Sequence, residues 1–203
     1  MIFRPDYIQA IKAFKDKPLV KILTGVRRCG KSTILLMLKE QLIKEGASEE
    51  DIIEKRYTDM DIPENITAKQ MYDELIEAIG DKKHCYLLLD EIQEVPDWER
   101  AVNNLLECGK ADIYITGSNS KLMSSEISTY LTGRYIQIPV FTLSFREYID
   151  FKKDSRKSKT ELLEEYIRFG GFPIIALGEY EPQQAYQIVN GIYYTVVSRD
   201  IVK

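Results

Sequence analysis

Apolar residues recur along this chain in two rhythms, one helical and one of short continuous runs. Tyr7, Ile8, Ile11 and Phe14 fall at helical spacing before Lys15-Asp16-Lys17-Pro18 interrupts them. Residues 19–24 then form a short apolar run. Residues 33–42 return to helix formers, with Ile34, Leu35, Leu38 and Leu42 in phase. Leu36 and Met37 make this helix apolar over most of its surface, which predicts burial on more than one side, and Gly46 ends it. Residues 52–58 read as a second strand, closing in the acidic turn Asp59-Met60-Asp61-Ile62-Pro63. Thr67-Ala68-Lys69-Gln70 has the capping-box form, and Met71, Leu75, Ile76 and Ile79 continue one helix face. Residues 86–89 are wholly apolar and end in Asp90-Glu91, the composition of a strand buried on both faces of a parallel sheet. Asp97 is placed to cap a helix carrying Trp98, Ala101, Val102, Leu105 and Leu106 on one stripe. A fourth strand, residues 113–116, stops at Gly117-Ser118-Asn119-Ser120, and a fifth covers residues 135–140.

Five short strands alternating with helices predict an α/β fold, a parallel sheet covered by helices on both sides. No strand pattern follows Val140. Ser144-Phe145-Arg146-Glu147 is a second capping box, and a charged linker at 152–159 leads to a helix with Leu162, Leu163, Tyr166 and Ile167. Gly170-Gly171-Phe172-Pro173 reads as its stop, and Tyr186, Val189, Tyr193, Val196 and Val197 form one more helical stripe. The chain therefore divides into a core at residues 1–143 and a small α-helical subdomain at 144–203. The last helix runs into Lys203 without Gly, Pro or a cap, which predicts a further domain beyond it.

One stretch inside this pattern carries chemistry. Gly25-Val26-Arg27-Arg28-Cys29-Gly30-Lys31-Ser32 reads G-x-x-x-x-G-K-[ST], with a strand before it and a helix, beginning near Thr33, after it. The glycines let the backbone turn its N–H groups around an anion, and the positive end of the helix adds to that field. In such a loop Lys31 reaches the β- and γ-phosphates and the Ser32 hydroxyl ligates Mg²⁺. The chain is thus expected to bind a nucleoside triphosphate through residues 25–33. Asp90, at the end of a buried strand, is the second candidate for the metal, and Glu91 is placed to polarise an attacking water. Ser118 or Asn119, at the end of another strand, is a candidate to hydrogen-bond the γ-phosphate or the water, and sequence does not choose between them.

Charge and cysteine usage narrow the setting. The 203 residues carry a formal net charge of −4. Nine Lys/Arg against three Asp/Glu stand in residues 1–40, around the glycine-rich loop. Residues 41–110 hold eight against eighteen. No long basic run argues for duplex nucleic acid, although a local patch is left open. Cys29, Cys85 and Cys108 have neither metal-ligand spacing nor a disulfide framework, and His84 is the single histidine. With no apolar run near the length of a membrane span and no signal-peptide pattern, the expectation is a reducing cytoplasm and no membrane partner.

The loop, Leu87-Leu88-Leu89-Asp90-Glu91, Thr116-Gly117-Ser118-Asn119 and Leu131-Thr132-Gly133-Arg134-Tyr135 together resemble the AAA-type ATPases. The likeness is greatest to a bacterial and archaeal group whose AAA core precedes a C-terminal domain of unknown function, and Gly170-Gly171-Phe172-Pro173 extends it into the helical part. The resemblance implies a P-loop NTPase fold with strand order 5-1-4-3-2 and an α-helical lid. It implies Walker A, Walker B and sensor 1 roles for the first three segments, and ATP with Mg²⁺ as the cofactors. It also implies that Arg134 acts as an arginine finger toward a neighbouring subunit, with a surface salt bridge as the competing reading. Arg199 is a candidate lid arginine reaching phosphate, and Thr58 stands where such ATPases hold their catalytic glutamate in reserve. No second arginine lies close to Arg134, which leaves ring assembly open. The expected partners are ATP and ADP, a second copy of the chain, and a missing C-terminal domain or partner protein. The expected activity is Mg²⁺-dependent ATP hydrolysis coupled to movement of the lid or a partner. The alternatives are a nucleotide-dependent binding switch with little turnover and a small-molecule phosphotransferase.

Overall fold

Strand β1, Val20–Thr24, is buried at all five positions because it runs through the interior of a five-stranded sheet. The structure, a computed structural model, describes residues 2–117 and 130–198. On either side of β1 lie β4 (Ala111–Gly117) and β5 (Tyr135–Pro139). β3 (Cys85–Asp90) and β2 (Ile52–Arg56) extend the sheet beyond β4, giving the order β2-β3-β4-β1-β5 with every pair parallel. This is the 5-1-4-3-2 order that the resemblance implied. Parallel neighbours need crossovers. These run through α2 (Lys31–Lys44), α3 (Ala68–Ile79) and α4 (Trp98–Glu107), and α1 (Pro5–Lys12) precedes β1.

The pleat divides the apolar strand residues between two cores. Leu87, Leu89, Ile113 and Ile115 pack with Met71, Leu75, Val102 and Leu105 of α3 and α4. Tyr86, Leu88 and Tyr114 point the other way, toward Ile8 and Ile11 of α1 and Ile34 and Leu38 of α2. Adjacent residues on opposite faces, both covered, account for the uninterrupted apolar runs seen in the sequence. At the end of the sheet where β1 begins, Lys21 Nζ pairs with the Asp112 carboxylate and donates to Lys17 O at 2.8 Å. Asp112 Oδ2 also accepts from Tyr114 Oη at 2.5 Å and from Asp16 N at 2.9 Å. This buried ion pair therefore has its remaining hydrogen-bonding capacity largely occupied.

Past β5 lie α5 (Phe145–Phe151), α6 (Lys159–Phe169), α7 (Pro173–Leu177) and α8 (Pro182–Val196). They gather their own apolar cluster, including Leu143, Tyr148, Leu162, Phe169, Ile175 and Ala185. Ser144 and Ser158 open α5 and α6 with complete capping boxes. Leu143 N donates to Gly171 O at 2.6 Å, and a Cβ on Gly171 would lie 2.2 Å from Leu143 O, so only glycine permits this approach.

Three local expectations need correction, and the burial of one helix is more closely defined. β2 ends at Arg56, because Asp59 N closes a turn on Arg56 O at 3.1 Å, and Thr58 is exposed beyond the strand. Helix α2 packs on both α1 and the sheet through Ile34, Leu35, Met37, Leu38 and Leu42, while Leu36 and Ile43 are exposed on its outer side. Asp97 precedes α4 with φ of 55° and its side chain caps nothing, while its carbonyl accepts from Arg100 N at 3.1 Å. Pro173 begins a helix where the sequence suggested only a stop, its ring occupying a first-turn position that needs no N–H. Among the described residues, no helix is long and apolar enough to cross a membrane.

Candidate functional site

The loop at residues 25–32 begins where β1 leaves the sheet. Gly25 has φ of 157°, and a Cβ there would lie 2.2 Å from Val140 O, so the turn out of β1 has no room for a side chain. Arg28 adopts a left-handed conformation at φ 65°, and Gly30, at φ 105°, stands at the cap position of α2. Helix α2 has no side-chain cap and no acidic residue in its first turn. The positive end of the helix dipole thus points at the loop without a side-chain cap, the arrangement that suits an anion.

Lys31 is buried and folds back over the loop, donating from Nζ to Gly25 O at 2.9 Å and Val26 O at 3.2 Å. Arg27 Nε is buried without a hydrogen-bond partner among the described residues, while Arg28 is exposed. Burial pushes the Cys29 thiol up, an effect that the Lys31 charge offsets only in part. Cys29 is thus a protonated packing residue rather than a nucleophile.

Sheet order brings the second half of the site alongside. β3 and β1 flank β4, so the ends of all three strands converge. Ser32 Oγ donates to Asp90 Oδ1 at 3.0 Å. Thr116 Oγ1 donates to the same oxygen at 2.5 Å and accepts from Glu91 N at 3.0 Å. Arg56 Nε donates to Asp90 Oδ2 at 3.0 Å. The Glu91 backbone turns left-handed, at φ 54°, and Glu91 Oε2 accepts from Gln93 Nε2 at 2.5 Å. The Ser32 hydroxyl and the Asp90 carboxylate are hard oxygen donors of the kind that suits Mg²⁺, which takes few protein ligands and completes its shell with water and phosphate. No group of three or more His, Cys, Asp or Glu among the described residues forms an all-protein metal cage.

The other residues singled out from sequence lie elsewhere. Arg134 stands just before β5, at the end of the sheet opposite Gly25, and donates from Nη1 to Glu107 Oε1 at 2.7 Å and Asn103 Oδ1 at 3.1 Å. Ser118, Asn119 and Arg199 lie outside the described residues. A cavity of about 800 Å³, lined in part by Tyr148, Lys152, Glu165 and Tyr180, sits among α5–α8 and includes no residue of the loop.

Sequence reasoning missed Arg56, Gln93 and Arg4, and within the segment 116–119 it singled out Ser118 and Asn119 rather than Thr116. Thr116 carries a signal after all, being a polar side chain at the end of a buried apolar strand. Arg4 carries none. Its guanidinium is buried and donates to Glu147 Oε1 at 2.7 Å, Cys29 O at 3.2 Å and Phe141 O at 3.1 Å, partners that only the fold brings together.

Comparison with known proteins bears on the family and the fold. A family model described as an AAA domain matches residues 17–149. An uncharacterized protein of Haemophilus influenzae is 35% identical over 205 residues, covering 99% of this chain and 50% of the relative. One from Methanocaldococcus jannaschii is also 35% identical over 205 residues, covering 95% of this chain and 44% of the relative. The chain spans about half the length of these curated relatives. Among solved structures, AMPPCP-bound DnaA from Aquifex aeolicus has a TM-score of 0.54 at 13% identity, over 98% of this chain and 65% of that one. At that identity the likeness concerns the fold alone. With the glycine-rich loop, the strand order and a family match over most of its length in agreement, the chain belongs to the AAA domain family of P-loop ATPases.

Proposed function

We propose that the chain binds ATP at residues 25–33 together with Mg²⁺ and hydrolyses its terminal phosphate bond. The observation that carries this reading is the 3.0 Å contact between Ser32 Oγ and Asp90 Oδ1, which joins the phosphate loop to the strand-end acid pair. Ser32 and Asp90 would hold the metal, which when bound neutralises charge on the β- and γ-phosphates. Lys31 spends its donors on Gly25 O and Val26 O, and phosphate oxygens are stronger acceptors for the same ammonium group. Glu91 takes the proton from the attacking water. Its backbone is fixed by Thr116 and one carboxylate oxygen by Gln93, which leaves the other oxygen for the water. Ser118 or Asn119 aligns the γ-phosphate, and Arg134, remote from its own loop, serves a neighbouring copy.

In this reading residues 1–143 form the nucleotide-binding core and 144–203 a helical lid whose position follows the nucleotide state. The target of the cycle is engaged by a partner protein or a further domain. Glu91→Gln is expected to retain ATP binding and lose phosphate release, and Lys31→Ala to lose binding. Phosphate release by Glu91→Gln at the wild-type rate would remove Glu91 from its role. Wild-type protein that binds ATP without releasing phosphate would instead be a nucleotide-dependent switch.

A further inference from the structure

Arg4 connects three segments that the fold otherwise leaves to separate elements. Its side chain is only 3% exposed. Nη1 donates to the carbonyl of Cys29 inside the loop, and Nη2 to the carbonyl of Phe141, in the segment leading from β5 to α5. Nε donates to Glu147 in the first turn of α5. The guanidinium also lies 4.4 Å from the centre of the Tyr7 ring, and Tyr7 Oη accepts from Phe141 N at 3.1 Å. Glu147 has no spare oxygen, because Oε2 takes Ser144 N at 2.8 Å and Ser144 Oγ at 2.9 Å. From this linker the contacts continue to Gly171 through Leu143 N, and to Tyr166, whose Oη donates to Leu143 O at 2.9 Å. The chain of contacts returns to the loop. The position a Cβ would take on Gly30 is 3.8 Å from Arg4 Nη1 and 3.9 Å from Pro173 Cγ.

The contact with Cys29 O has a direct consequence for phosphate. In a planar trans peptide the C=O and the following N–H point in opposite directions. A guanidinium that holds the Cys29 carbonyl outward therefore aims the Gly30 amide the other way, into the loop. A buried arginine with a carboxylate partner can serve stability alone. This one also places a donor on a peptide of the ligand loop and two on the base of the α5–α8 region. The bidentate fork of arginine makes such a multiple commitment in fixed geometry, which a lysine cannot.

We propose that Arg4 is a positioning residue. It fixes the Cys29–Gly30 peptide for phosphate and transmits loop occupancy to the Phe141–Glu147 contacts at the base of the helical region. The inference rests on the reading of residues 25–33 as an ATP site.

The test uses the full chain with the non-hydrolysable analogue AMPPCP, measuring affinity and amide hydrogen exchange at residues 25–30 and 141–151. In wild-type protein, the analogue is expected to protect both segments. In Arg4→Gln, affinity is expected to fall about tenfold, as for the loss of one charge-assisted hydrogen bond, with protection confined to the loop. Arg4→Lys is expected to recover part of the affinity but not the protection at 141–151. Glu147→Gln keeps the loop contact, so affinity stays near wild type while protection at 141–151 falls. This split between affinity and transmission is what a bridge serving stability alone would not produce. Wild-type affinity and wild-type protection in Arg4→Gln would overturn the inference, as would equal losses of both quantities in Arg4→Gln and Glu147→Gln. If Arg4→Gln does not fold, Arg4→Lys and Glu147→Gln decide the matter. Wild-type protein that binds no nucleotide overturns the ATP reading and this inference with it, whereas binding with unaltered Arg4 variants overturns the inference alone.

Discussion

Ser32 Oγ donates to Asp90 Oδ1 across 3.0 Å, although the two residues stand 58 positions apart. Asp90 is almost fully buried and has two further donors, Thr116 on the shared oxygen and Arg56 on the other. Three donors on one buried carboxylate fix its plane, which is what a residue holding a metal requires.

Thr116 does two jobs with one hydroxyl, donating to Asp90 and accepting from Glu91 N. Thr116→Val preserves the shape and removes both bonds. The expected stability loss is about 1–2 kcal/mol, because a buried acceptor and a half-buried amide each lose a partner. The turnover loss is expected to be larger, about tenfold or more, since both acidic residues lose their alignment. Thr116→Ser should restore most of the activity. Urea unfolding and phosphate release distinguish the two effects, and a valine variant with normal turnover would remove Thr116 from the site.

Arg56 is the charged partner of Asp90, and its side chain is 44% exposed. A cation at Asp90 and the Arg56 guanidinium draw on the same negative charge. Removing the arginine leaves that charge to the metal. Arg56→Ala is therefore expected to lower the Mg²⁺ concentration at half-maximal ATP turnover by a few-fold. A higher Mg²⁺ requirement would mean that Arg56 serves the substrate rather than competing with the metal.

The sheet and the loop were legible because their signals are local. Buried parallel strands advertise themselves as apolar runs such as Tyr86 to Leu89, and the glycines and lysine of the loop sit within eight positions. The sharing of Asp90 was not legible. Thr116 and Arg56 lie 26 and 34 positions from it and meet it only because β4 and β2 flank β3. Arg4 and Glu147, 143 positions apart, are the extreme case, since Arg4 carries no local signal and Glu147 reads only as a member of a capping box. The helix at Pro173–Leu177 was hidden for a different reason, because Gly170-Gly171 and Pro173 carry the signals of a stop while proline also opens helices.

The Lys21–Asp112 pair lies at the sheet end remote from the loop, and both side chains are almost fully buried. Truncating one partner leaves a buried charge uncompensated, so Lys21→Met is expected to cost about 3–5 kcal/mol. The double variant Lys21→Met with Asp112→Leu should recover part of that loss, since no unpaired charge remains. Nucleotide affinity in the folded fraction should not change. Denaturant titration with a parallel binding measurement checks both points, and a single variant costing less than about 1 kcal/mol would show that water reaches the pair.

Arg134 is held on the surface by Glu107 and Asn103, at the far end of the sheet from its own loop. From there it can complete a site only in another copy of the chain. Arg134→Ala is therefore expected to bind ATP normally and to lose turnover by about 10³-fold, within the range for arginine fingers supplied in trans. Wild-type specific activity should rise with protein concentration. Mixing the Arg134→Ala and Glu91→Gln proteins should restore part of the activity. In such a mixture an intact Glu91 in one copy meets an intact Arg134 from the other, although neither variant is active alone. Glu107→Gln, which frees Arg134 from its ion pair, should not lower turnover. Flat specific activity across concentrations, together with no recovery on mixing, would reduce Arg134 to the surface ion pair seen with Glu107.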